Sequence, residues 1–176
     1  MYGVNFASAG AGALVHTYQG TVIDLKAQAC NFKQVVKRLR KKLGDEEAEA
    51  LLARAVYIIS VGGNDYSAPL LTNSRASNNS TLILPYPPQQ FVHLVIANIS
   101  TFIQEIYEEG GRKFGILNVG PLNCFPMLRT PKSSIDACQQ EQISTLALLH
   151  RNALPKMLQN LHNQLKAFQH WHYGFC

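Results

Sequence analysis

An asparagine and an aspartate follow a long apolar run of the chain, after two intervening glycines. Ala55–Val61 is rich in β-branched residues and predicts a strand buried on both faces of a parallel sheet. Asn64 and Asp65 follow two glycines at its carboxyl end, the edge where open α/β sheets bind ligands. An amide donor at Asn64 is thus placed where a reacting oxygen can sit. The alternative is a tight turn in which both side chains bond their own backbone.

A loop of small residues, Gly3–Leu14, precedes this segment, and its glycines allow positive φ and close approach of the backbone. Taken with Gly62–Asp65 and the later Lys113–Cys124, it resembles the plant GDSL esterase/lipases of the SGNH hydrolase superfamily. The resemblance covers nearly the whole chain, with the three segments in the family's order. It implies a carboxylester hydrolase that transfers an acyl group through a serine ester and uses no cofactor.

The resemblance also implies a role for two residues. Gly10 matches the position whose backbone N–H donates to the oxyanion, and Asn64 matches the side-chain donor. Asp65 is expected to fix the turn by local hydrogen bonds and is not expected to be the acid of a catalytic triad.

Two catalytic blocks of the family are not found in these 176 residues: there is no Gly-Asp-Ser and no Asp followed three residues later by His. The family places them upstream of residue 1 and beyond residue 176. We therefore expect residues 1–176 to be a single, incomplete hydrolase domain without ester turnover. Ser8 and Ser60 are the serines that lie nearest the site motifs, and neither has an identifiable base.

Two other functions stay open. The first is a non-catalytic product, such as a truncated isoform or a protein that binds a lipid or ester without cleaving it. The second is nucleotide binding, because Gly10-Ala11-Gly12 begins like Gly-x-Gly-x-x-Gly. Val15 stands where the last glycine belongs, which disfavours the nucleotide site.

Helical and strand patterns alternate along the chain and predict an α/β fold. The periodicity predicts helices over 22–43, 46–54, 91–107 and about 137–168, strands over 56–61 and 114–119, and a long surface loop over 66–90. Pro155 is expected to kink or divide the last helix. The tail from His170 to Cys176 shows no usable period.

The resemblance further implies the flavodoxin-like strand order 2-1-3-4-5. The first and last strands, and most of the second, are expected to lie outside the chain. Two strands would then remain, with an unpaired apolar edge where the first strand docks. We expect marginal stability or self-association through that edge.

Composition limits the partners. The hydrophobic content of 47% and charged fraction of 15% are typical of a globular protein, and no apolar run reaches the length of a membrane span. The net charge of +5 is concentrated in a basic run over residues 33–42, which either binds nucleic acid or anionic lipid or is a solvated helix face. The buried stripe of that helix favours the solvated face, so no nucleic-acid partner is expected. The first residues carry no secretory signal, whereas the resemblance implies a secreted protein.

No metal site is expected. The four cysteines form no Cys-x-x-Cys pair, and His170 and His172 have no third ligand nearby in the sequence. His150, on an apolar helix face, is expected to be a core or interface histidine. The resemblance implies a disulfide between Cys124 and Cys138, with free thiols as the alternative. Asn78 and Asn79 are credible glycosylation acceptors, whereas Asn98 is discounted because its helical neighbours are expected to be buried.

Overall fold

A computed structural model describes residues 3–76, 84, 86–124 and 141–174. After a loop through residue 24 come helices α1 (Leu25–Leu43) and α2 (Asp45–Arg54), strand β1 (Val56–Ser60), and helices α3 (Gly63–Ala76) and α4 (Pro88–Glu108). Strand β2 (Lys113–Leu117), a 3-10 turn (Leu122–Cys124), helix α5 (Glu141–Gln164) and strand β3 (Gln169–Tyr173) complete the order.

The three strands form one parallel sheet in the order β1-β2-β3. The predicted α/β class, a parallel sheet flanked by helices, is confirmed. This order agrees with strands 3, 4 and 5 of the predicted flavodoxin-like sheet, so the expectation of two remaining strands is corrected to three. Among the described residues, β1 is hydrogen-bonded to β2 alone, which leaves its other edge unpaired.

Strand β3 was not predicted from the sequence, because it lies at the end of the sheet order and few of its side chains are buried. Four of its five residues are exposed, and only His170 is half-buried. In register, His170 lies beside Phe114 of β2, which in turn lies beside Tyr57 of β1. The strand is therefore defined by its backbone pairing, which a hydrophobic pattern does not report.

The core lies on one face of the sheet, where it joins side chains of α1, α4 and α5. Aromatic rings connect these layers: Phe32 of α1 packs edge-on against Tyr57 at 5.6 Å, and Phe114 stacks on Tyr57 and on Phe168 at 5.4 and 5.0 Å. Burial of these large rings supplies much of the driving force for folding. The apolar stripes predicted for the first and fourth helices are confirmed as core faces.

The opposite face of the sheet is not covered by any described residue. Four of its large side chains are exposed: Val56 by 57%, Ile58 by 75%, Trp171 by 56% and Tyr173 by 71%. Ile58 and Trp171 lie in register on either side of Gly115. The prediction that β1 is buried on both faces is therefore wrong for the described part of the chain. We call these four residues the open sheet face.

Helix α3 replaces the first part of the predicted long loop. Pro69 and the run of polar residues suggested a loop, but Pro69 lies within the helix, whose early residues Tyr66 and Ala68 are buried. Tertiary packing thus outweighs the low helix propensity of this segment. Residues 77–83 and 85 lie outside the described residues, as do 125–140, so Asn78, Asn79 and Cys138 are not described.

Other predictions are partly corrected. Helix α5 is a single helix that contains Pro155, so the proline does not divide it. Asn98 is exposed on α4 between the buried Val95 and Ile99, and its amide donates to the carbonyl of Leu94 at 2.9 Å. The argument against glycosylation at Asn98 therefore rests on its helical backbone alone. No helix in the described part of the chain is long and apolar enough to cross a membrane.

Candidate active site

The predicted site lies where β1 ends and α3 begins. Val61 and Gly62 lead from the strand into the helix, and Gly62 adopts φ +110°, a conformation that glycine tolerates and L side chains rarely adopt. Asn64 and Asp65 therefore stand in the first turn of α3, beyond the carboxyl end of β1. Asn64 is half-buried and Asp65 is fully buried.

The small-residue loop is folded against this turn. The amide of Ala11 donates to the carbonyl of Ser8 at 3.1 Å, which closes a turn in which Gly10 has φ +87°. Asn64 Nδ2 donates to the carbonyl of Ala11 at 2.9 Å. The structure thus brings Asn64 next to the residue that follows Gly10, although the two segments are more than fifty positions apart.

Asp65 is the second link between α3 and the loop. Its carboxylate accepts hydrogen bonds from the amides of Ala13 and Leu14 at 2.8 and 3.0 Å, and from the hydroxyl of Thr17 at 2.6 Å. The expectation of local bonds alone is therefore incomplete, because three partners of Asp65 lie about fifty residues away in sequence. Burial raises the pKa of Asp65, against the opposing effect of these three donors and of its own backbone amide.

Gly12 makes this contact possible. A Cβ at Gly12 would overlap the Oδ1 atom of Asp65 and lie 2.7 Å from the Cβ of Thr17. Gly12 belongs to the loop whose glycines were expected to allow close approach of the backbone, and it was also considered as part of a nucleotide-binding motif. No helix opens at the loop, since the next helix begins at Leu25, which disagrees with that motif.

The two serines near the site are not arranged as nucleophiles. Ser8 Oγ accepts a hydrogen bond from the amide of Ile23 at 3.0 Å, which fixes the end of the loop. Ser60 is exposed in β1. No hydrogen bond joins either hydroxyl to a histidine among the described residues.

A buried pair supports the turn from the side of α5. Tyr66 Oη lies 2.8 Å from His150 Nδ1, and both side chains are fully buried. Burial lowers the pKa of His150 to about 4 and raises the pKa of the Tyr66 hydroxyl, so both are neutral near pH 7. His150 is the predicted core histidine, but only Nδ1 has a partner among the described residues, and Nε2 is buried without one there. Tyr66 was not singled out from the sequence.

Three histidines lie close together at β3 and the end of α5. His170 and His172 stack at 6.2 Å, and His162 of α5 lies 5.8 Å from His170. His162 Nδ1 is hydrogen-bonded to the carbonyl of Phe168. Within the described ranges, no group of three or more histidine, cysteine, aspartate or glutamate side chains is arranged to hold a metal ion.

Comparison with known proteins identifies the class to which this fold and site belong. Residues 1–175 match the family model described as GDSL-like Lipase/Acylhydrolase. The chain belongs to this family.

Its relatives include the GDSL esterase/lipase 5 of Arabidopsis thaliana, 48% identical over 96% of the chain, and GDSL esterase/lipase 3 of the same plant, 42% identical over 96%. The GDSL lipase of Tanacetum cinerariifolium is 40% identical over 95% of the chain. The chain covers 42%, 44% and 42% of these relatives, respectively, which is less than half of their length.

Proposed function

We propose that this chain supplies the oxyanion-stabilising part of a GDSL-type carboxylester hydrolase. The substrate would be a small-molecule ester or lipid, and Gly10 and Asn64 would bind the negatively charged oxygen of the tetrahedral intermediate. The observation that carries the proposal is the hydrogen bond between Asn64 and Ala11, because it holds a side-chain amide beside the Gly10 loop.

The chemistry of the amide supports this role. A carboxamide nitrogen carries two hydrogens, and the carbonyl of Ala11 accepts one of them. The bond to Ala11 orients the group, while the second hydrogen is available for an incoming oxygen. Donors held in place before the reaction stabilise developing charge strongly, and loss of one typically costs on the order of 3 kcal/mol in the barrier.

We further infer that residues 1–176 do not turn over esters by themselves. They contain neither Gly-Asp-Ser nor Asp-x-x-His, and Ser8 serves as a hydrogen-bond acceptor for the loop. Without a nucleophile and a base, the site retains only the weak rate enhancement of an oxyanion hole. The resemblance also favours secretion, with a Cys124–Cys138 disulfide and glycosylation at Asn78 or Asn79.

Hydrolysis of a short-chain p-nitrophenyl ester tests the inferred inactivity. We expect the purified chain to show no hydrolysis above that of Asn64→Ala. Asn98→Ala is the matched control, since it removes an exposed helical asparagine that also donates to a backbone carbonyl. Turnover that Asn64→Ala lowers tenfold or more, but Asn98→Ala does not, would contradict the inactivity and make Ser8 the next residue to replace.

A non-catalytic lipid- or ester-binding role is the second candidate, and the open sheet face favours it because that face exposes Ile58 and Trp171 side by side across Gly115. Quenching of the Trp171 fluorescence by an added fatty ester tests it, since Trp171 is the single tryptophan of the chain. Saturable quenching that Ile58→Lys abolishes supports binding at this face, and unchanged fluorescence rejects it.

A further inference from the structure

We propose that His150 and Tyr66 are positioning residues that hold the turn bearing Asn64. The proposal rests on the proposed function, because it assigns a role toward the oxyanion donor. It is carried by contacts at both ends of the five-residue segment from Gly62 to Tyr66.

The first contact is at Gly62. A Cβ at this position would lie 2.8 Å from Cε1 of His150 and 3.5 Å from a methyl of Val119. The imidazole thus occupies the space beside the backbone where β1 gives way to α3. Because Gly62 also has φ +110°, the path of the chain into Asn64 is determined by a glycine and by the ring packed upon it.

The second contact is at Tyr66, two residues after Asn64. Tyr66 Oη and His150 Nδ1 are 2.8 Å apart, and the two rings pack edge-on with centroids 5.6 Å apart. Phe91 of α4 packs against the tyrosine ring at 5.7 Å. One histidine of α5 therefore contacts the segment both before and after Asn64.

The hydrogen-bond arithmetic gives the direction of the bond. A neutral imidazole has one N–H and one acceptor nitrogen. We assign Tyr66 as the donor to Nδ1, because the reverse direction would leave the tyrosine hydroxyl hydrogen without an acceptor among the described residues. The proton of His150 is then on Nε2. The cost is a buried Nε2 without a partner among the described residues. An apolar side chain would fill the core without leaving a buried nitrogen unpartnered. We therefore attribute the presence of a histidine to its hydrogen bond with Tyr66.

Hydrogen exchange of the Asn64 side-chain amide tests the proposal without any ester. In Tyr66→Phe, which retains the ring and removes the hydroxyl, we expect exchange to be faster by about fivefold to tenfold, the factor that corresponds to one neutral hydrogen bond. The matched control is Tyr107→Phe, which removes another hydroxyl bond, from Tyr107 to the carbonyl of Lys166 at 2.9 Å, at the other end of the sheet.

Two further variants separate positioning from packing. The amide oxygen of an asparagine lies near the place of Nδ1, so His150→Asn keeps an acceptor for Tyr66 but loses the ring beside Gly62. Its exchange at Asn64 is expected to lie between that of wild type and that of His150→Leu, and His150→Leu is expected to exchange at least as fast as Tyr66→Phe. Equal exchange at Asn64 in Tyr66→Phe and Tyr107→Phe would overturn the proposal.

The wild-type protein provides a test that does not depend on a variant folding. The ¹⁵N spectrum of its histidines is expected to show His150 with Nδ1 unprotonated and Nε2 protonated at pH 7. A proton on Nδ1 would overturn the assigned bond. Because none of these readouts involves hydrolysis or anion binding, failure of the positioning role and failure of the proposed function are distinguishable.

Discussion

Two buried titratable side chains at the site, Asp65 and His150, differ in how many hydrogen bonds replace their lost hydration. Asp65 accepts three hydrogen bonds from the loop, which compensates a carboxylate for lost water. His150 has one hydrogen-bonded and one unpartnered nitrogen within the described part of the chain, and burial lowers its pKa to about 4. The charged form of His150 is therefore disfavoured in the folded protein.

The lowered pKa of His150 predicts how stability depends on pH. Between its ordinary pKa of 6.5 and about 4, the unfolded chain binds a proton at this residue that the folded chain does not, so stability falls as the pH falls through that window. By this linkage, wild type should lose about 3 kcal/mol more than His150→Asn between pH 7 and pH 4.

Urea denaturation at the two pH values measures this difference. His93→Asn is the control, because His93 is exposed on α4, and it should keep the wild-type pH dependence. Equal losses in wild type and in His150→Asn would contradict the assignment of the effect to His150.

At the scale of elements, the site is a junction between the small-residue loop and α3. Asn64 and Asp65 provide its side chains, and Gly12 provides the space, since a Cβ there would overlap Asp65. The contact between the loop and α3 therefore requires a residue without a Cβ at position 12.

Gly12→Ala is predicted to destabilise the protein by roughly 1–3 kcal/mol, the range for a buried group that loses its partner. The alanine methyl would push Thr17 and Asp65 apart and weaken the hydrogen bonds of the carboxylate. Gly3→Ala is the matched control, because a Cβ at Gly3 meets nothing within 4 Å. Free energies of unfolding in urea compare the two, and equal values would show that the close contact is not important.

The sequence predicted the elements whose apolar residues recur with a clear period. It did not predict the elements that tertiary contacts or backbone pairing stabilise. Helices α1 and α4 and strands β1 and β2 were predicted because apolar side chains recur on their core faces. Helix α3 was read as a loop, because burial of Tyr66 stabilises it in spite of Pro69. Strand β3 was missed because its pairing is through the backbone.

The candidate site was only half predicted for the same reason. Asn64 and Gly10 were identified because the resemblance attaches a role to their positions. The partners of Asp65 could not be found, because a carboxylate after a strand has no sequence signal for a loop fifty residues away. Tyr66 and His150 each look like ordinary core residues, and only the folded chain shows that their polar atoms meet.

At the scale of the whole molecule, the two faces of the sheet are unequal. One face packs against helices, whereas the open sheet face exposes Ile58 and Trp171 beside an unpaired strand edge. Exposed apolar faces and unpaired edges favour association. The chain also covers less than half of the length of its relatives.

We predict that the chain self-associates through this face and edge. Sedimentation velocity over a range of concentrations should show a mass that rises with concentration, and Ile58→Lys should reduce the rise because a lysine on an edge strand opposes pairing. Leu148→Lys is the control, as Leu148 is similarly exposed, by 56%, but lies on α5. A monomer at every concentration would contradict this prediction, as would equal effects of the two variants.

The measurement that most directly tests the account is NMR titration with a tetrahedral anion, such as an alkylphosphonate monoester. We predict that the Gly10 amide and the Asn64 side-chain amide shift together with one dissociation constant. The side-chain amide of Asn98, which is bonded to Leu94, should not shift. Gly10 and Asn64 that stay unshifted, or that shift with different constants, would contradict the claim that these two donors form one oxyanion site.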